Sequence, residues 1–204
     1  MSNLPALLAS EALIVRQHQE LTEVFTDLET GNRYAIELPD GHTVLYAAET
    51  GEGAGAFFSR NLLANKRPFH ISLRDASGSS TLDLRRPWTW FFSELHVFAG
   101  DGTPLGRIEQ RFSVISKRFS VFDPSGVEIA TLHGPLLRPW TFRVLVQEQE
   151  VGRITKQWSG LLKETFTKAD TFGVQFGPAM NPQLRALALA ATFLIDFLYF
   201  ERQN

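Results

Sequence analysis

A run of apolar residues near the C-terminus constrains the fold of this chain more than any other feature. From Ala186 to Phe200, every residue is apolar except Thr192 and Asp196. The Asn-Pro pair at positions 181–182 is typical of a helix start, because Asn caps free N–H groups and Pro suits the first helical position. We therefore predict a helix over residues 181–201.

This helix is too short and too charged for a good membrane span. A bilayer core needs about 20 apolar residues, and Asp196 at its centre would cost about 3 kcal/mol or more in lipid. A helix that is apolar on every side must be surrounded by protein or by lipid. The simplest prediction is therefore a helix enclosed by a β-barrel.

The residues before the helix have the pattern of short strands separated by turns. Turn sequences such as Pro39-Asp40-Gly41 and Gly100-Asp101-Gly102 favour hairpins. The pattern, with roughly ten to twelve strands, favours a mainly β barrel or sandwich in one domain over residues 1–204. The predicted strands are 12–17, 33–38, 43–47, 69–74, 93–98, 105–112, 119–122, 127–132, 142–147, 151–158 and 172–176.

An internal repeat supports a closed barrel. Residues 86–90 (Arg-Pro-Trp-Thr-Trp) recur at 138–142 (Arg-Pro-Trp-Thr-Phe), and Gly-Arg-Ile at 106–108 recurs at 152–154. A weaker third copy starts at Arg67. Repeated hairpins that close on themselves leave no free sheet edge.

Composition narrows the chemistry. The chain has no cysteine, which excludes disulfides, thiolate catalysis, Cys-ligated metals and S-acylation. The first fifteen residues lack the basic start of a secretory signal, so we expect a cytoplasmic protein. Residues 53–168 carry sixteen Arg or Lys against ten Asp or Glu. This basic middle could bind anionic lipid or nucleic acid, or could be an ordinary solvated surface.

Several separated motifs resemble the phospholipid scramblase family, in order over about residues 10–202. The longest are 152–164 (Gly-Arg-Ile-Thr-Lys-Gln-Trp-Ser-Gly-Leu-Leu-Lys-Glu), 166–176 (Phe-Thr-Lys-Ala-Asp-Thr-Phe-Gly-Val-Gln-Phe) and 193–201 (Phe-Leu-Ile-Asp-Phe-Leu-Tyr-Phe-Glu), with shorter matches at 29–34 and 67–69. The resemblance implies a Tubby-like, LURP-one-related fold, a closed barrel of about twelve strands around a buried C-terminal helix. It also implies ATP-independent, non-selective movement of phospholipids between leaflets, or binding of membrane lipids.

The chain departs from the family pattern in ways that affect cofactors. The segment matching the family's Cys-rich stretch, residues 84–92, has no cysteine, and we expect no counterpart of the family's Pro-rich N-terminal extension. In the segment matching the family's proposed calcium site, Lys168 replaces an acid, Thr171 replaces another polar ligand, and Asp170 is the one remaining carboxylate. Because calcium takes about 6–8 oxygen ligands, we expect no calcium dependence and no cofactor.

One aromatic and basic cluster is the strongest candidate for membrane contact. It contains Arg85, Arg86, Trp88 and Trp90, followed by Phe-Phe at 91–92. Trp with neighbouring Arg is a common pattern at membrane interfaces. Alternatively, these aromatic residues alternate into the barrel core, and the Arg-Pro pair only marks the start of a strand.

Three further cations and one buried acid are candidate functional residues. Lys117, Arg118 and Lys163 could bind phosphate head groups at one rim of the barrel, or could be solvated strand ends. Asp196 inside the apolar helix needs a partner or a proton. We expect an Arg or Lys on an inner strand face to pair with it, and the alternative is a proton-relay or lipid-path role.

The sequence offers no enzyme motif. The five histidines (His18, His42, His70, His96 and His133) have no metal-binding spacing, and no Gly-x-Ser-x-Gly elbow occurs. We therefore predict a phospholipid scramblase-like protein that associates peripherally with a membrane. Its expected partners are phospholipids, mainly anionic, and not nucleic acid. The alternatives are a soluble Tubby-like module that binds a lipid head group or a protein without transport, and a single-span anchor.

Overall fold

Twelve antiparallel strands form a closed barrel around one helix. The computed structural model describes residues 10–18, 33–50, 67–138, 140–156 and 171–200. Each strand pairs with its neighbours along the chain, and the pairing of β1 with β12 closes the barrel. The elements are β1 (Ala12–His18), β2 (Arg33–Glu37), β3 (Thr43–Glu49), β4 (Phe69–Arg74), β5 (Ser80–Arg86), β6 (Glu94–Ala99), β7 (Pro104–Arg111), β8 (Ser116–Phe122), β9 (Glu128–Pro135), β10 (Thr141–Val146), β11 (Gln149–Lys156), β12 (Thr171–Phe176) and α1 (Pro182–Tyr199).

The up-and-down order gives the barrel two different ends. At the end we call the turn end, tight turns at 38–42, 75–79, 100–103, 123–127 and 147–148 join the strands. At the other, the loop end, the described connections are 87–93, 112–115, and 136–138 with 140. Because every second connection of a meander lies at the same end, residues far apart in sequence meet at each rim.

The tight turns follow from short sequences rich in Asp and Gly. In the 123–127 turn, Gly126 has a φ of 87° and donates its N–H to the Asp123 carbonyl at 3.1 Å. Glycine adopts this left-handed conformation without steric cost. The turns at 38–42, 75–79 and 100–103 repeat the same hydrogen bond and the same positive φ. The ladder register shifts by one residue beside each of the four turns, which is the expected bulge of a three-residue hairpin.

Helix α1 crosses the barrel from the turn end to the loop end. At its start, the Leu184 N–H donates to Asn181 Oδ1 at 2.8 Å, and Gln183 Nε2 donates to the Leu105 carbonyl at 2.7 Å. At its other end, Gln110 Nε2 donates to the hydroxyl of Tyr199 at 3.3 Å. Eighteen residues make a helix about 27 Å long. The prediction of an apolar helix enclosed by a barrel is therefore confirmed.

Small residues let the helix fit inside the wall. Its first ten residues contain four alanines that are at most 2% exposed, at positions 186, 188, 190 and 191. The wall presents Leu, Ile, Val and Phe from alternate positions of each strand, as the two-residue period of a strand requires. The buried Thr192 satisfies its hydroxyl by donating to the Ala188 carbonyl at 3.3 Å.

The repeated glycines mark close approaches between backbones. Gly106 on β7 has a φ of 144°, and a Cβ there would overlap the Phe122 carbonyl oxygen. A Cβ at Gly152 on β11 would lie 2.7 Å from the Gln175 carbonyl oxygen and 2.6 Å from Met180 Sδ. The two copies of the Gly-Arg-Ile repeat, at 106–108 and 152–154, thus lie on β7 and β11, four strands apart around the barrel.

Eleven of the twelve strands were predicted, most with boundaries within one to three residues. The missed strand is β5. Its inward positions are Leu82, Leu84 and Arg86, with Asp83 and Arg85 between them facing outward. A charged residue at an inward position hid the alternation. The described strands and helix form one barrel, while the prediction that residues 1–204 make a single domain stays a prediction. Within the described ranges, no helix is both long and apolar enough to span a bilayer.

Candidate functional site

The loop end carries almost all the exposed large apolar side chains of the described residues. Eleven such side chains are exposed, and ten of them lie in the three loop-end connections. The exception is Val127, in a turn at the opposite end. The ten are Trp88, Trp90, Phe91 and Phe92 in the first loop, Phe112, Val114 and Ile115 in the second, and Leu136, Leu137 and Trp140 in the third. We call these ten side chains the apolar rim. Such a concentration of apolar surface marks an interaction site.

The aromatic residues of the first loop do not enter the core. Trp88 is 40% exposed and Trp90 is 70% exposed, and their rings meet edge to face with centroids 5.9 Å apart. The alternative that these residues alternate into the barrel core is therefore wrong. Trp140, the repeat partner of Trp88, is also exposed, so the repeated Arg-Pro-Trp sequence occupies the same end of the barrel twice.

Arg85 and Arg86 point in opposite directions. Arg85 lies on the outer face of β5 with its guanidinium 4.8 Å from the centre of the Phe98 ring. Arg86 is 2% exposed and faces the interior, where it donates to the Arg67 carbonyl and to Ser93 Oγ at 2.9 Å. Burial, together with the charge of Arg67, lowers the pKa of Arg86 to about 10. The prediction that Arg86 contacts the membrane surface is wrong, because strand alternation turns it inward.

Arg67 and Arg86 hold the last turns of the helix. Their guanidinium carbons lie 4.8 and 4.9 Å from the centre of the Phe197 ring. Arg67 also forms a two-point ion pair with Glu49, whose second hydrogen bond measures 3.3 Å. Cation–π contacts gain strength away from water. The Arg-Pro repeat at 67–68 and 86–87 therefore has a structural role inside the barrel.

Two lysines form a similar pair around Phe200. Lys117 Nζ lies 4.1 Å from the centre of the Tyr199 ring, and Lys156 Nζ lies 4.2 Å from that of Phe200. Burial lowers the pKa of Lys117. The proposed contact between Lys117 and head groups is therefore wrong for this conformation, because its amine packs against rings of the helix end. Cations also suit this position because the C-terminus of a helix carries partial negative charge.

The cation that lies beside Asp196 is Lys156. Lys156 Nζ lies 3.9 Å from Asp196 Oδ1, and the Tyr34 hydroxyl donates to Oδ2 at 2.9 Å. Asp196 is 3% exposed and Lys156 is 8% exposed. The expectation of a cation on an inner strand face is confirmed. A buried carboxylate with a cation and a hydroxyl donor beside it is typical of a structural ion pair.

The remaining predicted site residues fall in different places. Arg118 is exposed on the outer face of β8. Lys163, Lys168 and Asp170 lie outside the described residues. The described part of the supposed calcium segment is strand β12, whose Phe172, Val174 and Phe176 face the core. Among the residues that the structure describes, no three His, Asp or Glu side chains gather to hold a metal ion.

The turn end has the opposite character from the apolar rim. Its five turns each contain one acid: Asp40, Asp75, Asp101, Asp123 and Glu148. A hydrogen bond from Ser77 lowers the pKa of Asp75, one from the Thr103 backbone lowers that of Asp101, and one from Ser125 lowers that of Asp123. The carboxylates of Asp75, Asp101 and Asp123 are therefore ionised at neutral pH. By contrast, the described loop-end connections contain no acid and one base, Arg138.

The second and third loops of the apolar rim were missed in the sequence. Residues 112–115 (Phe-Ser-Val-Ile) were assigned partly to a strand, and Leu136-Leu137 was not considered. A signal was present: both segments join two strands, where turn residues such as Gly, Asp and Asn are expected. An apolar residue in a connection that needs polar ones is the pattern that would have found them.

Comparison with known proteins gives one family. A family model described as Scramblase matches residues 1–202. Phospholipid scramblase 1 of Mus musculus is 32% identical over 206 residues, which cover 94% of this chain and 62% of the relative. Phospholipid scramblase 2 of Homo sapiens is 30% identical over 94% of this chain and 68% of the relative.

Phospholipid scramblase 1 of Homo sapiens is 30% identical over 94% of this chain. The chain spans less than two thirds of the length of these phospholipid scramblase 1 relatives, 62% of the mouse protein and 63% of the human one. A solved structure of a protein from Arabidopsis thaliana aligns with a TM-score of 0.49 and 14% identity, over 92% of this chain and 93% of that one. A structural likeness at that level carries no argument about fold or function.

Proposed function

The chain belongs to the Scramblase family, and from that premise we propose that it binds membrane phospholipids and moves them between leaflets without ATP. The relatives are named phospholipid scramblases, and the family is not one of hydrolytic or redox enzymes. The proposed activity makes and breaks no covalent bond. It requires instead a surface that enters the bilayer interface and groups that accommodate phospholipid head groups.

The apolar rim is the observation that carries this proposal. Ten exposed apolar side chains at one end of a barrel would insert together into one planar surface. Trp and Tyr favour the boundary between head groups and acyl chains, and Phe, Leu and Ile favour the acyl region. Full burial of a large apolar side chain contributes about 1.5–3 kcal/mol. A few inserted side chains are therefore enough for reversible docking.

The charge distribution supports docking in one orientation. Arg138 lies within the apolar rim, and Arg85, Arg111 and Arg118 are exposed near the strand ends beside it. Each base near an anionic leaflet contributes about 1 kcal/mol of attraction. The acidic turns lie at the far end, about 27 Å away by the length of α1, and would face water. We propose that anionic lipids strengthen binding and that docking is peripheral, from the cytoplasmic side.

The helix is expected to remain in the barrel when the protein docks. Removing it would expose the buried alanines and leucines of α1 and separate Asp196 from Lys156 and Tyr34. We propose that lipids move at the outside of the barrel. Inserted rim side chains would disturb lipid packing, and the neighbouring cations would accommodate head groups as they cross. Calcium independence is part of this proposal, because one carboxylate in the matched segment cannot supply the ligands that calcium takes.

The test is lipid scrambling in vesicles that contain a fluorescent head-group lipid, followed by dithionite quenching. The arms are wild type, a Trp90→Ser/Leu137→Ser rim variant, and wild type with a calcium chelator, each with a leak control. Quenching well beyond half of the label, unchanged by the chelator and reduced in the rim variant, is the expected result. A plateau near half with the protein bound to the vesicles would contradict transport and leave a lipid-binding module. Absence of both binding and quenching would contradict the proposal entirely.

A further inference from the structure

Two arginines and a histidine lie side by side across three adjacent strands on the outer wall of the barrel. Arg118 on β8 is paired in register with His133 on β9, and His133 is paired with Arg143 on β10. All three point outward, because the residues beside them in each strand, among them Phe119 and Leu132, are buried in the core. The two arginines therefore lie on either side of one imidazole ring.

The row lies in a groove of about 450 Å³. Ser113 and Ser116 line the groove with hydroxyl groups at the loop end, and Ile115 contributes an apolar side chain there. One acid, Glu148, lines it at the turn end. A concave site with a few convergent polar groups is the usual form of a small-ligand site, and guanidinium and hydroxyl donors select an anion.

Neighbouring arginines of the wall are neutralised, whereas those of the groove are not. Arg111 on β7 pairs with Glu109 at 3.1 Å, and Arg153 on β11 pairs with Glu150 at 2.6 Å. Arg118 and Arg143 form no ion pair with any residue that the structure describes. The Nε of Arg143 is buried and finds no hydrogen-bond acceptor among the described residues. The groove therefore holds donor groups that lack an anionic acceptor.

The histidine is held neutral between the arginines. Arg143 Nη2 lies 2.9 Å from His133 Nδ1, and since a guanidinium only donates, Nδ1 accepts and the neutral ring carries its proton on Nε2. Burial, then Arg143 and Arg118, lower the pKa of His133, and Glu148 opposes them. An anion between the two arginines would reduce this repulsion. His133 is therefore a built-in reporter of anion binding.

We propose that this groove binds a phosphate group through Arg118, Arg143 and the Nε2–H of His133. Ile115 belongs to the apolar rim, and Arg118 lies three positions further along the chain, about 10 Å away. With the rim inserted among acyl chains, the groove would stand at the level of the lipid phosphates. The phosphate chemistry follows from the groove alone, while a phospholipid as its source rests on the proposed function.

The first test is a nuclear magnetic resonance titration of the His133 ring at pH 7, assigned with His133→Gln. The probes are inorganic phosphate and a water-soluble short-chain phosphatidylserine. We expect the ring signal to shift on titration, and affinity to fall about tenfold or more in Arg118→Gln/Arg143→Gln, because two charge-assisted hydrogen-bond donors are lost. The matched control is Arg153→Gln, which removes a cation paired in register with Arg143 on β11 but outside the groove lining. It should titrate like wild type.

The outcomes separate the groove from the proposed function. A response to either probe that requires Arg118 and Arg143 supports the groove, and the probe that binds more tightly identifies the source. If neither probe shifts the His133 signal, or if the double variant and Arg153→Gln respond equally, the proposed phosphate site is overturned. Thermal melting of each variant checks that it is folded. If vesicles fail to bind while the groove still titrates with phosphate, the proposed function fails and the phosphate site stands.

Discussion

The two ends of this barrel solve the same geometric problem with opposite chemistry. At the turn end, five short connections reverse the chain, four of them with Asp and Gly, and each contains an acid. At the loop end, three described connections do so with Trp, Phe, Leu, Ile and Val at their surfaces. Turn geometry explains the composition of those four turns. It gives no reason for the composition of the loop-end connections, since apolar side chains exposed to water contribute nothing to a turn.

The interior changes along the same axis. Toward the turn end, helix α1 is packed with alanine and leucine against an apolar wall. Toward the loop end, its last two turns meet Arg67, Arg86, Lys117 and Lys156. The loop end therefore combines exposed apolar side chains on the outside of the barrel with inward-facing cations on the inside. We infer that this end faces the membrane and that the turn end only completes the fold.

The largest effect is expected from removing the apolar rim. Trp90→Ser/Leu137→Ser changes two side chains that are 70% and 96% exposed, so the fold should be unaffected. Each lost insertion removes about 1.5–3 kcal/mol, and since about 1.4 kcal/mol is a factor of ten, affinity for vesicles should fall by about a hundredfold or more. Vesicle flotation measures it. The control is Val127→Ser at the turn end, which should bind like wild type, and an equal loss there would contradict the comparison.

The next effect concerns the interior of the loop end. Asp196→Asn leaves the shape unchanged but removes the charge opposite Lys156, 3.9 Å away. Removing one charge of a buried ion pair costs about 3 kcal/mol or more, measurable by chemical denaturation. Thr192→Val, one turn nearer the turn end, loses one hydrogen bond and should cost about 1 kcal/mol. An equal loss of stability in the two variants would contradict the contrast between the apolar interior toward the turn end and the charged interior toward the loop end.

Reversing charged side chains at each end of the barrel tests which end binds anionic vesicles. Arg85→Glu/Arg138→Glu should weaken binding to anionic vesicles about tenfold or more, since each base near the leaflet contributes about 1 kcal/mol. The loss should shrink at high salt, which screens exposed charges. Asp40→Lys/Asp101→Lys changes the net charge in the opposite direction at the turn end and should leave affinity nearly unchanged. Affinity that simply follows net charge would contradict docking in one orientation.

The smallest effect is expected in a turn that departs from its neighbours. Gln147 and Glu148 adopt φ angles of 49° and 63° without being glycine, a conformation suited to Asn and Gly in two-residue hairpins. Gln147→Asn should raise the free energy of unfolding by about 0.5 kcal/mol. Gln149→Asn, at the first residue of β11, serves as the control and should give no gain. A gain in both variants would show that backbone strain at the turn is not the cause.

The architecture could be predicted because it depends on patterns that are local in sequence. Apolar runs, alternation and Gly-containing turns gave eleven strands and the enclosed helix. The site could be predicted only in part. Trp88 and Trp90 lie at the surface as the interface hypothesis requires, but Arg86 and Lys117 face inward. Neighbours such as Arg85 and Arg86 differ only in the face of the sheet to which each side chain points. That face depends on the register of β5 against β4 and β6.

Other parts of the site depend on contacts between distant segments. The partner of Asp196 was predicted as a cation, but Lys156 could not be singled out because β11 and α1 meet only in the closed barrel. The row of Arg118, His133 and Arg143 comes from three strands, and its register is invisible in the sequence. Arg118 was predicted to bind phosphate. That stays a prediction, now with two neighbours named.

The most direct test of the central claim is a depth measurement on vesicles with single labels. Because the chain has no cysteine, Ile115→Cys, Leu137→Cys and Val127→Cys each accept one environment-sensitive fluorophore. The account predicts a blue shift and quenching by acyl-chain quenchers at 115 and 137, with the label at 127 unchanged and open to aqueous quenchers. Protection at 127, or aqueous spectra at all three positions while the protein is bound, would contradict a membrane-facing loop end.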